Sequence, residues 1–246
     1  MLDKSKIKDI QSLALKKRRH ETGLFLAEGP KLVNEIINEI PQTIIEIYAT
    51  EDWKGSAGFD LPVIIIAQHE LEKISQLKTP LQVLAVVKQI EHKEPDSFTG
   101  ICLYLDAIQD PGNLGTIIRT ADWFGLKNIV CSAGCADLYN PKVVQATMGS
   151  LVRINVWYDK EETWIGRQTG TIIATSVIGE SLYSFTKVDN CILMIGNESK
   201  GLRSEVIAMA TEIVSIPRRG NAESLNAAVA TGIILSHLVA NENVLP

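Results

Sequence analysis

Three short segments of the chain place amides, carboxylates, hydroxyls and arginines beside glycines. They read DPGNLGTIIR at residues 110–119, IGNESKGL at residues 195–202 and IPRRGNAESLN at residues 216–226. Each segment follows an apolar, strand-like run, so each one alone could be a turn that ends in a helix cap. Together they are expected to bring backbone N–H groups, amides and an arginine to one crevice, because ligands bind at the carboxyl ends of parallel strands.

Several kinds of chemistry are missing from these segments. No GxGxxG follows a strand and no GxxxxGK[ST] is present, which disfavours a nucleotide-dependent oxidoreductase and a P-loop enzyme. Neither a Ser-His-Asp nor an HExxH pattern occurs, and all four histidines lie outside the segments: His20, His69, His92 and His237. The sequence therefore predicts a reaction without a metal ion and without an obvious imidazole base.

The elements that carry the segments indicate an α/β protein with two domains. The second half of the chain contains continuous apolar runs, which are typical of parallel strands covered on both faces. The first half alternates short strands with helices, which predicts a small α/β domain of about 90 residues. The charged segment 91–100 carries a proline and a glycine and is the best linker candidate. The predicted domains are therefore residues 1–95 and 96–246.

The composition fits an ordinary globular protein, with 46% hydrophobic and 22% charged residues among 246. The N-terminus lacks the apolar core of a secretory signal, and no apolar run approaches the roughly 20 residues that span a bilayer. Four cysteines without a CxxC pair lie in or beside apolar runs: Cys102, Cys131, Cys135 and Cys191. Reduced, buried thiols, a cytoplasmic location and no membrane association are therefore expected.

Positive charge is concentrated at the N-terminus, although the net charge is −5. Residues 1–20 hold seven lysines and arginines against two aspartates. Such a patch can bind phosphates, but it can equally be the solvated face of a helix predicted over residues 1–19. Both interpretations stay open on the charge pattern alone.

The three segments resemble the three sequence motifs of a known enzyme family. In their full form, NLGTIIRTADWFG, IGNESKGL and IPRRGNAESLNAAVA are similar to the motifs of the SpoU (TrmH-like) RNA ribose 2′-O-methyltransferases of the SPOUT superfamily. They stand in the family's order and spacing, and the resemblance covers roughly residues 101–240. The N-terminal stretch SLALKKRRHETGLFLAEGPKLV is similar to the ribosomal-protein-like RNA-binding domain that many of these enzymes carry.

The resemblance implies a fold, a cofactor and an assembly that the residue pattern does not show. The fold would be a parallel-sheet SPOUT domain with a trefoil knot at the C-terminus, preceded by the small RNA-binding domain. The methyl donor would be S-adenosylmethionine, and the protein would be a homodimer through its C-terminal domain. The implied cofactor-binding residues are Thr175, Ser176, Met194, Gly196, Ile216 and Leu225.

The resemblance also implies a catalytic set in which Arg119 activates the ribose 2′-hydroxyl. Because arginine keeps its proton, an electrostatic role in stabilising the developing alkoxide is preferred to general-base action. Asn113 would position the ribose or Arg119, and Glu198 would orient Arg119 or its neighbours. Ser224 and Asn226 would hold the loop and the ribose. The implied RNA-binding residues are Lys16, Lys17, Arg18, Arg19, Arg218 and Arg219.

The expected function is therefore an S-adenosylmethionine-dependent RNA 2′-O-ribose methyltransferase. Ribosomal RNA is the expected substrate, because a separate RNA-binding domain suits a folded target that is recognised by its shape and its single-stranded loops. Two alternatives remain at this point. One is a transfer RNA 2′-O-methyltransferase, and the other is a catalytically silent RNA-binding or ribosome-assembly protein of the same fold.

Overall fold

The computed structural model describes residues 2–55, 62–186 and 188–239. The helices are α1 Lys4–Ser12, α2 Lys16–Thr22, α3 Pro30–Glu39, α4 Gln68–Ile74, α5 Pro111–Trp123, α6 Pro141–Thr147, α7 Ser204–Ile207 and α8 Ala227–Val239. The strands are β1 Leu24–Glu28, β2 Ile44–Ala49, β3 Val63–Ile65, β4 Val83–Lys88, β5 Ile101–Leu105, β6 Asn128–Ser132, β7 Asn155–Asp159, β8 Ile172–Ser181, β9 Cys191–Ile195 and β10 Glu212–Ser215.

The chain divides into two compact units. The N-terminal unit consists of Met1–Glu91 together with Asp137–Val152, and the C-terminal unit consists of His92–Ala136 and Arg153–Pro246. The division at residue 95 remains a prediction. A single boundary at residue 95 would assign residues 137–152 to the second domain. They belong instead to the N-terminal unit, where their helix α6 packs against β1.

The N-terminal unit contains a mixed sheet of four strands in the order β1-β4-β2-β3. The pairs β1–β4 and β2–β4 are antiparallel, and the pair β2–β3 is parallel. Apolar side chains of the sheet and of α1 and α4 share one buried cluster that includes Ile10, Tyr48, Leu71 and Leu84. This unit is the small α/β domain that the alternation of strands and helices predicts.

The single helix predicted over residues 1–19 is wrong, since α1 ends at Ser12 and α2 begins at Lys16. The Arg19 guanidinium donates to the carbonyl oxygens of Leu13 and Ala14 at 2.9 and 2.7 Å. Leu15 has extended backbone angles and its side chain is 61% exposed. The arginine thus satisfies carbonyl groups that a continuing helix would have bonded internally.

The C-terminal unit contains six strands in the order β10-β8-β9-β5-β6-β7, and every pairing is parallel. Every residue of the two central strands, β5 and β9, is buried. Burial on both faces explains why these strands are continuous apolar runs. The predicted parallel α/β fold is confirmed, and the carboxyl ends of β5, β8 and β9 lie at one edge of the sheet.

Strand β8 leaves the regular ladder at Thr175, one of the predicted cofactor-binding residues. Its partner β10 pairs Ile213 with Ala174, and then pairs the next residue, Val214, with Glu180. Residues 175–179 therefore protrude from the parallel ladder. A Cβ atom at Gly179 would lie 2.7 Å from the Ile213 carbonyl oxygen, so the strands approach closely where the ladder resumes.

The linker candidate at residues 91–100 is held against the C-terminal unit. Asn155 donates to the Lys93 carbonyl at 2.8 Å, and the indole of Trp164 donates to the Pro95 carbonyl at 3.3 Å. Arg167 pairs with Glu94 at 2.7 Å. The first half of this segment is therefore ordered by contacts with the unit that follows it.

Candidate active site

One chain of hydrogen bonds joins the three motif segments. The Asn113 side chain donates through Nδ2 to Glu198 Oε1 at 2.5 Å. It accepts through Oδ1 from Asn226 Nδ2 at 2.8 Å. We call this the amide relay. Its members are separated by 85 and 113 residues along the chain, so the fold alone brings them together.

Two helix starts hold the two asparagines of the amide relay. Asp110 caps α5 by accepting from the Asn113 backbone N–H at 2.8 Å, and Pro111 occupies the first turn. Asn226 caps α8, because its Oδ1 accepts from the N–H groups of Ala228 and Val229 at 3.0 and 3.2 Å. Each asparagine is therefore fixed by helix-cap geometry as well as by its partner.

The loop after β9, residues 196–203, is tightly folded. We call it the β9 loop. A Cβ atom at Gly196 would overlap backbone atoms of Gly201 and Leu202. Asn197 and Gly201 exchange two backbone hydrogen bonds of 3.0 and 2.8 Å. The close approach of the chain's own backbone therefore requires a glycine at residue 196.

Arg119 and Ser224 are exposed and stand apart from the amide relay. Neither side chain has a hydrogen-bond or ion-pair partner within the ranges that the structure describes. Arg119 lies six residues after Asn113 on α5, just over one and a half helical turns further along. An unpaired, exposed guanidinium keeps all its donors available for a phosphate or an alkoxide.

The residues predicted to hold the cofactor surround the ends of β8 and β9 and the loop before α8. Thr175 donates through Oγ1 to the Met194 carbonyl at 2.8 Å, and Ser176 accepts from the Ile178 N–H at 3.2 Å. Met194 is fully buried, and Thr175 is the contact that joins it to the protruding part of β8. Leu225 is 46% exposed and Ile216 is half-buried.

The basic residues predicted to bind RNA differ in how far their side chains are exposed. Lys16, Lys17, Arg218 and Arg219 are exposed. Arg18 is half-buried and pairs with Glu21 at 2.8 Å. These five residues remain candidates for contacts with phosphates.

Arg19 is a correction to that prediction. Its side chain is 3% exposed, and it holds Asp137 through Nη2 at 2.5 Å and through Nε at 3.2 Å. Leu13, Ala14 and Asp137 all lie inside the N-terminal unit, so this buried and paired guanidinium is not placed to bind a phosphate. The run of lysines and arginines at residues 16–19 does not show which side chain is buried, because the burial of Arg19 depends on Asp137, 118 residues away.

Sequence reasoning missed two residues at the base of the β9 loop. Asp106 is fully buried at the end of β5. Its Oδ1 accepts from Nε of Arg203 at 2.8 Å and forms an ion pair with Nη2 at the same distance. Hydrogen bonds to this carboxylate and to Glu162 raise the pKa of Arg203 above its ordinary value. A charged residue directly after an apolar strand was the available signal, but nothing in the sequence named its partner.

The described ranges contain no group of three or more His, Cys, Asp or Glu side chains placed to hold a metal ion. None of their helices has the length and apolarity needed to span a membrane.

Comparison with known proteins gives two family matches. The SpoU rRNA methylase family matches residues 100–236, and the MRM3-like substrate-binding domain matches residues 4–85. The chain is 31% identical to the 23S rRNA (guanosine(2553)-2′-O)-methyltransferase RlmP of Bacillus subtilis, over 95% of each protein. It is 33% identical to a 23S rRNA (uridine(2479)-2′-O)-methyltransferase of Streptomyces viridochromogenes, over 66% of this chain and 61% of that protein.

Solved structures agree with these matches. An rRNA methyltransferase from Sinorhizobium meliloti with bound AdoMet is similar with a TM-score of 0.79 and 30% identity, covering 97% of this chain and 96% of the other. The SpoU methyltransferase AviRb of Streptomyces viridochromogenes, in complex with AdoMet, gives a TM-score of 0.82 and 26% identity, covering 96% and 97%. With the three motif segments joined in one site, the chain belongs to the SpoU rRNA methylase family.

Proposed function

We propose that this protein transfers the methyl group of S-adenosylmethionine to a ribose 2′-oxygen of ribosomal RNA. The observation that carries the proposal is the amide relay, which joins one residue from each motif segment. The exposed Arg119 on the same helix as Asn113 adds a cation that no described residue pairs with. The named relatives that act on 23S rRNA support ribosomal RNA as the substrate class.

The residues at the strand ends fit S-adenosylmethionine. Ile216 and Leu225 offer apolar surface for a flat purine. In the part of the chain that the structure describes, the backbone N–H groups of residues 218–225 donate to no backbone carbonyl, so they are available to a polar ligand. Thr175, Ser176, Met194 and Gly196 are the further residues that would hold the donor. When bound, S-adenosylmethionine supplies a methyl group on a sulfonium, which is reactive towards an oxygen that approaches in line.

Arg119 has the central role in the proposed chemistry. A ribose hydroxyl is a weak nucleophile until its proton leaves, and the Arg119 guanidinium lowers that barrier by stabilising the developing alkoxide. Arginine does not accept the proton, because its own proton is held too tightly. A phosphate oxygen of the RNA, clamped by the same guanidinium, is the proposed acceptor.

The amide relay is proposed to fix the substrate side of the site. Asn113 uses both polar atoms of its side chain on Glu198 and Asn226, so its own position is determined by two partners. Glu198 and Asn226 therefore orient Asn113 and with it the start of α5. Ser224, two residues before the α8 cap and exposed, is proposed to contact the ribose.

The test is methyl transfer from labelled S-adenosylmethionine to ribosomal RNA isolated from cells that lack this protein. We expect wild-type protein to label one ribose. We expect Arg119→Ala to lower kcat by roughly 100-fold, a loss in the range found when a group that stabilises an oxyanion is removed. Arg119→Lys keeps the positive charge but not the planar guanidinium with its parallel donors. It is the matched control and should retain more activity than Arg119→Ala.

Three outcomes would contradict the proposal in whole or in part. Unchanged transfer in both Arg119→Ala and Asn113→Ala would remove the catalytic assignment. Absence of donor-dependent transfer to any RNA would favour a catalytically silent RNA-binding protein. Labelling of transfer RNA in place of ribosomal RNA would correct the substrate class and retain the reaction.

The proposal includes a homodimer formed through the C-terminal unit and a knotted C-terminal segment. An open groove along α8 is lined by Tyr183, Val229, Gly232 and His237, among others. Tyr183 and Val229 in this groove are 64% and 52% exposed, which suits an apolar partner surface. We expect a dimer in sedimentation equilibrium, and Val229→Glu should shift it to monomer. An unchanged dimer in that variant would locate the interface elsewhere.

The proposed location is the cytoplasm, where ribosomal RNA is accessible to a modifying enzyme. Fractionation of cells that express a tagged protein would test this. Recovery outside the cytoplasmic fraction would contradict it.

A further inference from the structure

An ion pair with one buried partner joins the loop after β5 to the β9 loop. Asp106 is the first residue after β5 and is fully buried, whereas the Arg203 side chain is 35% exposed. Arg203 donates to Asp106 Oδ1 through Nε at 2.8 Å, its Nη2 lies 2.8 Å from the same oxygen, and its backbone N–H donates to Oδ2 at 2.9 Å. Both carboxylate oxygens are thus satisfied by one residue that lies 97 positions away. A buried charge that is paired in this way resists any movement of its partner.

A second bond joins the same two loops beside the first. Asn197 donates through Nδ2 to the Ala107 carbonyl at 2.8 Å. Ala107 has a φ of 54°, a left-handed angle that a non-glycine residue rarely adopts, and its N–H donates to Ser132 Oγ at 2.9 Å. The loop after β5 is therefore held in a strained conformation by partners on β6 and on the β9 loop.

Asn197 also closes the β9 loop on itself. Its Oδ1 accepts from the N–H groups of Ser199 and Lys200 at 3.0 and 3.2 Å. One side chain thus uses its acceptor within the loop and its donor across to the neighbouring loop. Glu198, which reaches Asn113, stands directly after it in the chain.

Glu198 therefore lies between two anchors in sequence. Asn197 fixes the loop on one side of it, and Arg203 fixes the loop on the other. Arg203 binds Asp106 and Asn197 binds Ala107. Both of these residues lie shortly before the cap of α5, the helix that carries Asn113. The distance between the Glu198 carboxylate and the Asn113 amide is thereby set by the anchors as well as by the bond itself.

We propose that Asn197 and Arg203 are positioning residues for methyl transfer, which hold the Glu198 carboxylate on Asn113; this inference rests on the proposed function. Neither residue needs to touch the donor or the RNA. A displacement of about 1 Å at a group that orients reactants can lower a rate by roughly 100-fold. Loss of an anchor is therefore expected to lower kcat with little change in substrate KM.

Three variants distinguish the loss of an anchor from a general loss of stability. Asn197→Asp keeps the Oδ1 acceptor that closes the β9 loop but removes the donor to Ala107. Arg203→Lys keeps a positive charge at Asp106 but removes the forked contact. Glu162→Gln is the control, since Glu162 contacts only the outer Nη1 of Arg203 and leaves the Asp106 pair intact.

The measurements are kcat and KM on ribosomal RNA from cells that lack this protein, calorimetric Kd for S-adenosylmethionine, and the melting temperature. We expect kcat to fall about 10-fold or more in Asn197→Asp and Arg203→Lys, and KM and Kd to stay within about threefold. Glu162→Gln should match wild type. If Asn197→Asp does not fold, Arg203→Lys is judged by the same criteria.

A double-variant cycle separates positioning from a merely structural role. If Asn197 acts through Glu198, Asn197→Asp should lower kcat much less in a Glu198→Ala background than in wild type. Full additivity of the two losses would overturn the inference. So would a wild-type kcat in both anchor variants while Glu198→Ala is impaired. A wild-type kcat in Glu198→Ala, or no transfer by the wild-type protein, would instead contradict the proposed function.

Discussion

Asn113 shows why the type of a single side chain matters in this site. It donates to Glu198 and accepts from Asn226, and its amide places a donor nitrogen and an acceptor oxygen side by side on one short, planar group. An aspartate there would lose the donor and face the Glu198 carboxylate. The sequence predicted all three residues as site residues, but it did not predict that they bond to one another.

Gly196 gives the sharpest expectation at the scale of a residue. In Gly196→Ala the new methyl group would overlap the backbone of Gly201 and Leu202, so the β9 loop must move. We expect a loss of at least about 2 kcal/mol in the free energy of unfolding, measured by urea denaturation. Gly220→Ala, whose Cβ would meet nothing within 4 Å, is the control and should change stability by less than about 0.5 kcal/mol. Equal stability of both variants would contradict this account.

At the scale of elements, short polar contacts decide where helices and strands end. Arg19 ends the helical run after α1, and five protruding residues of β8 carry Thr175 and Ser176 out of the ladder. Within α8, Leu238 is buried but Val229 is 52% exposed, although both side chains are apolar. A helix that is apolar on nearly every side has no single face that its sequence period can identify.

Arg19 is expected to stabilise the N-terminal unit. Arg19→Met would leave Asp137 without its partner and would free two carbonyl groups between α1 and α2. We expect a loss of about 3 kcal/mol in the free energy of unfolding, because breaking a buried pair leaves an uncompensated charge. Lys16→Met, at an exposed position of the same helix, should cost less than about 0.5 kcal/mol. A stable Arg19→Met variant with weakened RNA binding would restore Arg19 as an RNA-binding residue.

The contact between β1 and the end of α4 should make stability depend on pH. Burial raises the pKa of Glu28 above its ordinary value of 4.5, although Ser75 and the Gln76 N–H donate to its carboxylate. Below pH 4.5 the side chain is protonated in both states and its contribution to stability is complete. As the pH rises above 4.5 and through the folded pKa, the unfolded chain releases the proton first, so this contribution is lost.

Wild-type protein should therefore lose stability relative to Glu28→Gln as the pH rises through that window. Urea denaturation of both proteins at a series of pH values measures the difference. Glu72→Gln, on the exposed side of α4, is the matched control. Parallel pH profiles for wild type and Glu28→Gln would show that burial does not control this carboxyl group.

At the scale of the whole molecule, a net charge of −5 is combined with local positive charge. The exposed lysines of α2 lie in the N-terminal unit, and the exposed arginines before α8 lie in the C-terminal unit. An acidic protein can still bind RNA through such patches, because screening confines each charge to about 10 Å at 0.1 M salt. RNA affinity should therefore reflect the local charges more than the net charge.

The salt dependence of RNA binding tests this view. If Lys16 and Lys17 each neutralise a phosphate, the double variant Lys16→Ala/Lys17→Ala should reduce the slope of log K against log salt by about 1 to 2. Filter binding to ribosomal RNA at several salt concentrations measures the slope. Lys16→Arg/Lys17→Arg keeps both charges and should keep the slope. An unchanged slope in the alanine variant would place RNA contacts on other residues.

The resemblance of the three motif segments to a known family indicated the residues of the amide relay, and the sequence by itself determined the class of each half and the segments themselves. These features are local, since apolar runs, glycines and caps act within a few residues of one another. The tertiary structure decided which polar atoms meet: Glu198 with Asn113, Arg203 with Asp106 and Arg19 with Asp137, across 85 to 118 residues. Such pairings depend on how strands are ordered in a sheet and how loops close over their ends. The spacing of residues along one chain does not contain that information.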